Sequence, residues 1–147
     1  MNDLKELMEE LKAEIIQRHI DEGQRTTGKT MDSFKVVEVT PFHMQLVGNS
    51  YAYTLQYGRG PGVASADFRE IIYRWSEAKG IQFDTEEERG RFAYFVAKKI
   101  QKEGTKLYRS GHELDIFKTA IDTFTENLKE ELKEFFKTQV LDTIYKR

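Results

Sequence analysis

Cysteine is absent from the 147 residues and proline occurs only twice, at Pro41 and Pro61. Disulfides, thiolate metal sites and a cysteine nucleophile are thereby excluded, and a reducing compartment suits the chain. No apolar run approaches the ~20 residues that span a bilayer, and the start, Met1-Asn-Asp-Leu-Lys-Glu-Leu7, lacks a signal-peptide hydrophobic region. The expectation is a soluble chain, not secreted by the usual route, with no membrane partner. An excess of either charge is also missing: 23 basic and 25 acidic side chains leave a formal net charge of -2. With a pI near 6.0 and no local basic patch, a dedicated nucleic-acid binder is not expected.

Catalytic spacings are lacking too. There is no Gly-x-Ser-x-Gly elbow, and His19, His43 and His112 stand far apart with no acid at a spacing that would orient them. The Glu86-Glu87-Glu88 run reads as a helix N-terminus. The sequence therefore predicts no enzyme, no cofactor, no metal and no small-molecule substrate.

What the chain does have is aromatic content, ten Phe, seven Tyr and one Trp, enough for a core. Its most distinctive stretch is Tyr51-Ala-Tyr-Thr-Leu-Gln-Tyr-Gly-Arg-Gly-Pro-Gly62. Tyr51, Tyr53, Leu55 and Tyr57 alternate at period two, which predicts a strand with one covered face. The glycines and Pro61 stop it at Tyr57. A nucleotide loop would need a lysine and then a hydroxyl just inside the following helix, and Val63, Ala64, Ser65, Ala66 and Asp67 stand there instead. The Gly28-Lys29-Thr30 triplet lacks the glycine five residues upstream and reads as linker. The loop 58–64 is expected to contact another protein, with Tyr57, Gly58, Arg59, Gly60, Pro61 and Gly62 as candidate interface residues. Arg59 would be an exposed donor that the fold does not need.

Around this stretch the spacing predicts a single α+β domain. Leu4, Leu7, Met8, Leu11, Ile15 and Ile16 make an amphipathic helix over 3–22, and His19 falls close to its stripe. Strands over 33–57 form an antiparallel meander of three to four strands, with a turn at Pro41. Helices follow over 65–79, with Trp75 central in its stripe, and over 85–103, opened by the capping pair Thr85 and Glu88. Thr105 to Ser110 fits loop or edge strand equally. From 113 to 145 one apolar pattern runs on for roughly 45 Å, so the long C-terminal helix either breaks near Thr138 or projects toward a partner.

The initial helix, Thr27-Gly28 with Ser33 heading a strand, Tyr51-Ala-Tyr53 and Tyr57-Gly-Arg-Gly-Pro-Gly62 together resemble the neck proteins of long-tailed bacteriophages. The likeness extends through Arg74-Trp-Ser-Glu-Ala-Lys-Gly-Ile81 and Ala97-Lys-Lys-Ile-Gln-Lys-Glu-Gly-Thr105, as in phages and prophages of Bacteroides-type hosts. It departs where the family has a leucine two residues after the glycine; here Thr30 stands, followed by Met31. The resemblance implies a small α+β virion protein without catalytic residues. It would be a subunit of a homo-oligomeric ring joining capsid to tail as a head-tail connector or tail-completion protein. It further implies neighbouring connector and tail proteins as partners, non-specific contact with DNA passing the channel, and residence in the host cytoplasm during assembly. The reading to set against it is a monomeric cytoplasmic adaptor or regulatory protein-interaction domain.

Overall fold

A computed structural model describes residues 4–145. In chain order it contains α1 (Leu4–Asp21), α2 (Lys29–Asp32), β1 (Lys35–Thr40), β2 (His43–Val47), α3 (Tyr51–Tyr57), α4 (Phe68–Ala78), α5 (Glu86–Glu103), α6 (Lys106–Ser110) and α7 (Lys118–Tyr145). The α+β class holds, but the sheet has two strands. They pair antiparallel from Lys35 opposite Val47 to Thr40 opposite His43, with an irregularity between Glu38 and Thr40.

The expected third strand is a correction, since Tyr51–Tyr57 is helical. Ala52, Leu55 and Gln56 turn inward at i, i+3, i+4, and the rings of Tyr53 and Tyr57 stack four residues apart at 4.6 Å. A seven-residue segment carries both periods at once, and tertiary contacts override the β preference of tyrosine. The Gln24 side chain donates to the Leu55 carbonyl at 3.1 Å and Gly58 N–H donates to that of Thr54 at 2.9 Å, which satisfies the helix end.

The chain gathers into two compact units. The first takes the chain up to Glu22, Met31–Asn49 and the chain from Asp115 onward; the second takes Gly23–Thr30 and Ser50–Leu114. In the first unit, Leu7, Leu11, Ile15 and His19 form a buried row at every fourth residue of α1, with Met8 beside it. α1 packs against α7 and the hairpin, where Ala120 in the first turn of α7 and Ile116 just before it are fully buried, and the half-buried Val36, Met44 and Leu46 of the hairpin share one sheet face. Arg18 reaches Asp115, whereas Leu7 and Glu10 share a groove with residues 127–134 of α7, so the two helices run antiparallel.

Every fourth residue of α7's approach and length, from Ile116 to Ile144, is apolar. Steps of four advance about 40° around an α-helix, so such a stripe winds away from the side on which it begins. Exposure follows the winding: Ile116 and Ala120 are 0% exposed, Leu132 41%, Phe136 60%, Val140 56% and Ile144 61%. No break occurs at Thr138, whose hydroxyl donates to the Glu134 carbonyl at 2.9 Å and leaves the helix continuous.

The second unit centres on Ile72 of α4 against Ala93 and Ala97 of α5, with Phe68, Tyr73, Val96 and Ile100 packed around them. Small residues let the two helices approach closely, and Ser76 continues the i+4 row from Phe68 and Ile72. Trp75 lies beside that row and is 38% exposed, which corrects its expected central burial. At α5 the expected capping pair forms, as Glu88 N–H donates to Thr85 Oγ1 at 3.2 Å. The Glu88 carboxylate accepts from Asp84 N–H, one residue earlier than in the usual reciprocal box.

Candidate functional site

The glycine loop between α3 and α4 was expected as a free contact surface, and the structure instead divides it into an anchored half and an exposed half. The anchor is the end of α5. Arg59 N–H donates to Thr105 Oγ1 at 3.0 Å, and Thr105 N–H donates to the Arg59 carbonyl at 2.8 Å. Gly62 N–H donates to the Gln101 carbonyl at 2.9 Å, and Leu114 N–H to that of Gln56 at 3.0 Å. Thr105 Oγ1 also accepts from Tyr108 N–H, capping α6, the short helix that forms where the sequence left loop or strand open.

This approach requires glycine on both sides. Gly58 has φ +76°, and a Cβ there would lie 2.5 Å from Tyr108 N and 2.6 Å from Thr105 Oγ1. Across from it Gly104, φ +81°, would set a Cβ 2.8 Å from the Arg59 carbonyl oxygen. The glycines that suggest pliancy in the sequence are thus the means of a tight backbone clasp.

Arg59 turns inward, against expectation. Its guanidinium lies 4.5 Å from the centre of the Phe68 ring, and Nη2 donates to the Val63 carbonyl at 3.1 Å. Nη1 is enclosed and has no hydrogen-bond partner. A cation over an aromatic face, closing its own loop, belongs to the fold. Tyr57 is half-buried at the end of α3, and Gly60 lies under the Tyr108 ring. The outward side chains are therefore those of Pro61 and Val63, on either side of the Gly62 whose N–H is tied to α5, with Val63 99% exposed. Val63 escaped the sequence reading because a lone valine beside glycines carries no periodic signal.

The three histidines do not meet. His43 and His112 are exposed, while His19 is wholly buried in the first unit between the rings of Phe34 at 5.9 Å and Phe117 at 5.8 Å. Neither His19 ring nitrogen has a hydrogen-bond partner, and desolvation pushes its pKa below the usual histidine value. Hydrogen bonds from the Thr119 hydroxyl and N–H hold the Asp115 carboxyl below its usual range, with Arg18 adding to the effect. Among the described residues no group of three or more His, Cys, Asp or Glu side chains is placed to hold a metal ion. No helix among them is long and apolar enough to cross a membrane. No protein-family model, curated protein or solved structure matches the chain.

Proposed function

We propose that this chain is a structural subunit of an oligomeric ring in a phage neck, joining the DNA-filled capsid to the tail, without catalysis. The observation that supports this most is the clasped loop. Directly after the Tyr57–Gly62 stretch that carries the resemblance, Val63 stands fully in solvent on a loop tied by the Gly62 N–H to the Gln101 carbonyl and by Arg59 to the Val63 carbonyl. An exposed apolar side chain on a short, tethered loop suits an anchor for a protein partner better than a ligand lid. Phe42, on the two-residue turn of the hairpin, has the same character in the first unit. Neighbouring ring subunits and connector or tail proteins are the partners, and DNA passing through the channel makes non-specific contact at most.

Removing the gene from a phage that carries it is expected to leave DNA-filled heads beside unattached tails, with purified chain restoring the joining. The variant Val63→Asp should melt like the parent and fail to restore it. Intact, infectious particles formed without the chain would refute the connector role. Full restoration by Val63→Asp would remove the loop from the interface. An adaptor domain, by contrast, would be missing from purified particles altogether.

A further inference from the structure

The outward face of α5 gathers a basic patch that the chain was not expected to have. From Arg89 to Lys102 there are five basic residues and no acidic one. Ala93 and Ala97 face α4, and at about 100° per residue Arg91, Phe95, Lys98 and Lys102 line up within about 60° of one another on the opposite side. All four are exposed, Phe95 by 67%, and Lys99 beside them is exposed as well. Arg89 is set apart, turned over the rings of Tyr73 and Phe83. Arg91 pairs with Glu87, whereas Lys98, Lys99 and Lys102 make no ion pair among the described residues. On α7, by contrast, Lys129, Lys133 and Lys137 each meet a glutamate three residues back. Like charges one turn apart, as at Lys98 and Lys102, weaken a helix, and the helix dipole favours lysine only in the last turn, which accounts for Lys102 alone. Neither effect explains the aromatic pair among the lysines. Tyr94 stands edge-on to Phe95 at 5.5 Å, with Arg69 and Lys98 over its own ring at 5.8 and 5.7 Å.

We propose that this face binds single-stranded nucleic acid without sequence preference, Phe95 stacking on a base while Lys98, Lys99 and Lys102 hold the neighbouring phosphates. Charge complementarity selects a polyanion, and the exposed ring selects among polyanions. In a duplex the bases are stacked on one another, out of reach of a ring on a convex helix, whereas a single strand can splay a base onto it. An acidic protein segment would answer the lysines, but its carboxylates would crowd a ring whose face carries partial negative charge. Phe95, Lys98 and Lys102 follow one another at about one turn or less, roughly 5 to 6 Å, so a strand lying along α5 meets ring and ammonium groups in succession. Such a face would bind a strand whether or not the chain serves in a neck.

Fluorescence polarisation of the full chain with labelled oligothymidylate of about 20 nucleotides tests this, with a duplex of equal length and a polyglutamate peptide as competitors. Saturable binding on the order of 10 µM is expected at about 50 mM salt, with the duplex at least about fivefold weaker. Contacts from the three lysines predict that log affinity falls with log salt at a slope of about −2, and Lys98→Gln with Lys102→Gln should bring that slope to about −0.7. Phe95→Ala should weaken the single strand about tenfold while leaving the slope and the helix content by circular dichroism unchanged, and Phe95→Tyr should bind like the parent. No saturable binding, a duplex held as tightly as the single strand, or a Phe95→Ala variant that binds like the parent would overturn the proposal. So would displacement of the strand by an equal charge of polyglutamate, which would assign the face to an acidic protein.

Discussion

The two compact units differ in charge and in how they are held. The first carries 10 basic and 16 acidic side chains, the second 13 and 9, so a nearly neutral chain splits into an acidic body and a basic one. The first is held by side-chain packing, with i+4 rows of large apolar residues on α1 and α7 enclosing an unpartnered histidine. The second has a small core of Ile72 and two alanines, and a backbone clasp supplements it. Net charge read from the whole sequence therefore says little about either body. Truncation should damage the first unit most, whereas adding a single atom should damage the second.

The largest effect is expected from Ile15→Ala in the first unit. Ile15 is among the largest fully buried side chains, and a Leu- or Ile-to-Ala change in a core costs about 2–5 kcal/mol. Urea denaturation followed by circular dichroism measures it. Next comes Gly58→Ala, which adds one carbon where the clasp has no room and the backbone has positive φ. A loss of about 2 kcal/mol is expected, with amide exchange accelerating first around Gln101 to Tyr108. If Gly58→Ala is tolerated, the second unit does not rely on the clasp.

Arg59→Ala is expected to cost about 1 kcal/mol by removing the contact over Phe68 and the bond to the Val63 carbonyl. Its melting temperature should thus fall, contrary to an Arg59 that serves only a neighbour. Trp75→Ala should cost less than the 3–5 kcal/mol of a buried tryptophan, since the residue keeps over a third of its surface in solvent. A loss of 3 kcal/mol there would show that packing at α4 has been misjudged.

The smallest and most specific effect is a pH dependence confined to the first unit. His19 has a folded-state pKa below its unfolded value of about 6.5, so the unfolded chain binds more protons as pH falls through that value. Stability should therefore be full above the unfolded pKa and be lost progressively toward the lower, folded one. His19→Leu should flatten this part of the urea-midpoint profile between pH 7.5 and 5, and an unchanged profile would exclude His19 as the cause.

Much of the helical frame is legible in the sequence. Long amphipathic periods place α1, α5 and the C-terminal helix to within a few residues, because many residues vote on each period. The short elements are not legible: Tyr51–Tyr57 satisfies both periods, and α2 and α6 have four and five residues. The candidate site is legible as a location, through its glycines and proline, and illegible as geometry. That Gly58 must admit Thr105 and Tyr108, and that Arg59 pairs with Thr105, depends on contacts 46 residues and more apart in sequence, and that Arg59 faces Phe68 depends on how the loop between them turns.

The neck assignment is tested most directly by immunogold labelling of purified, intact particles with an antibody raised against the chain. The account predicts gold at the junction between head and tail, on particles that resist high-salt washing. Label confined to the host lysate, or spread along the tail or over the capsid, would contradict it.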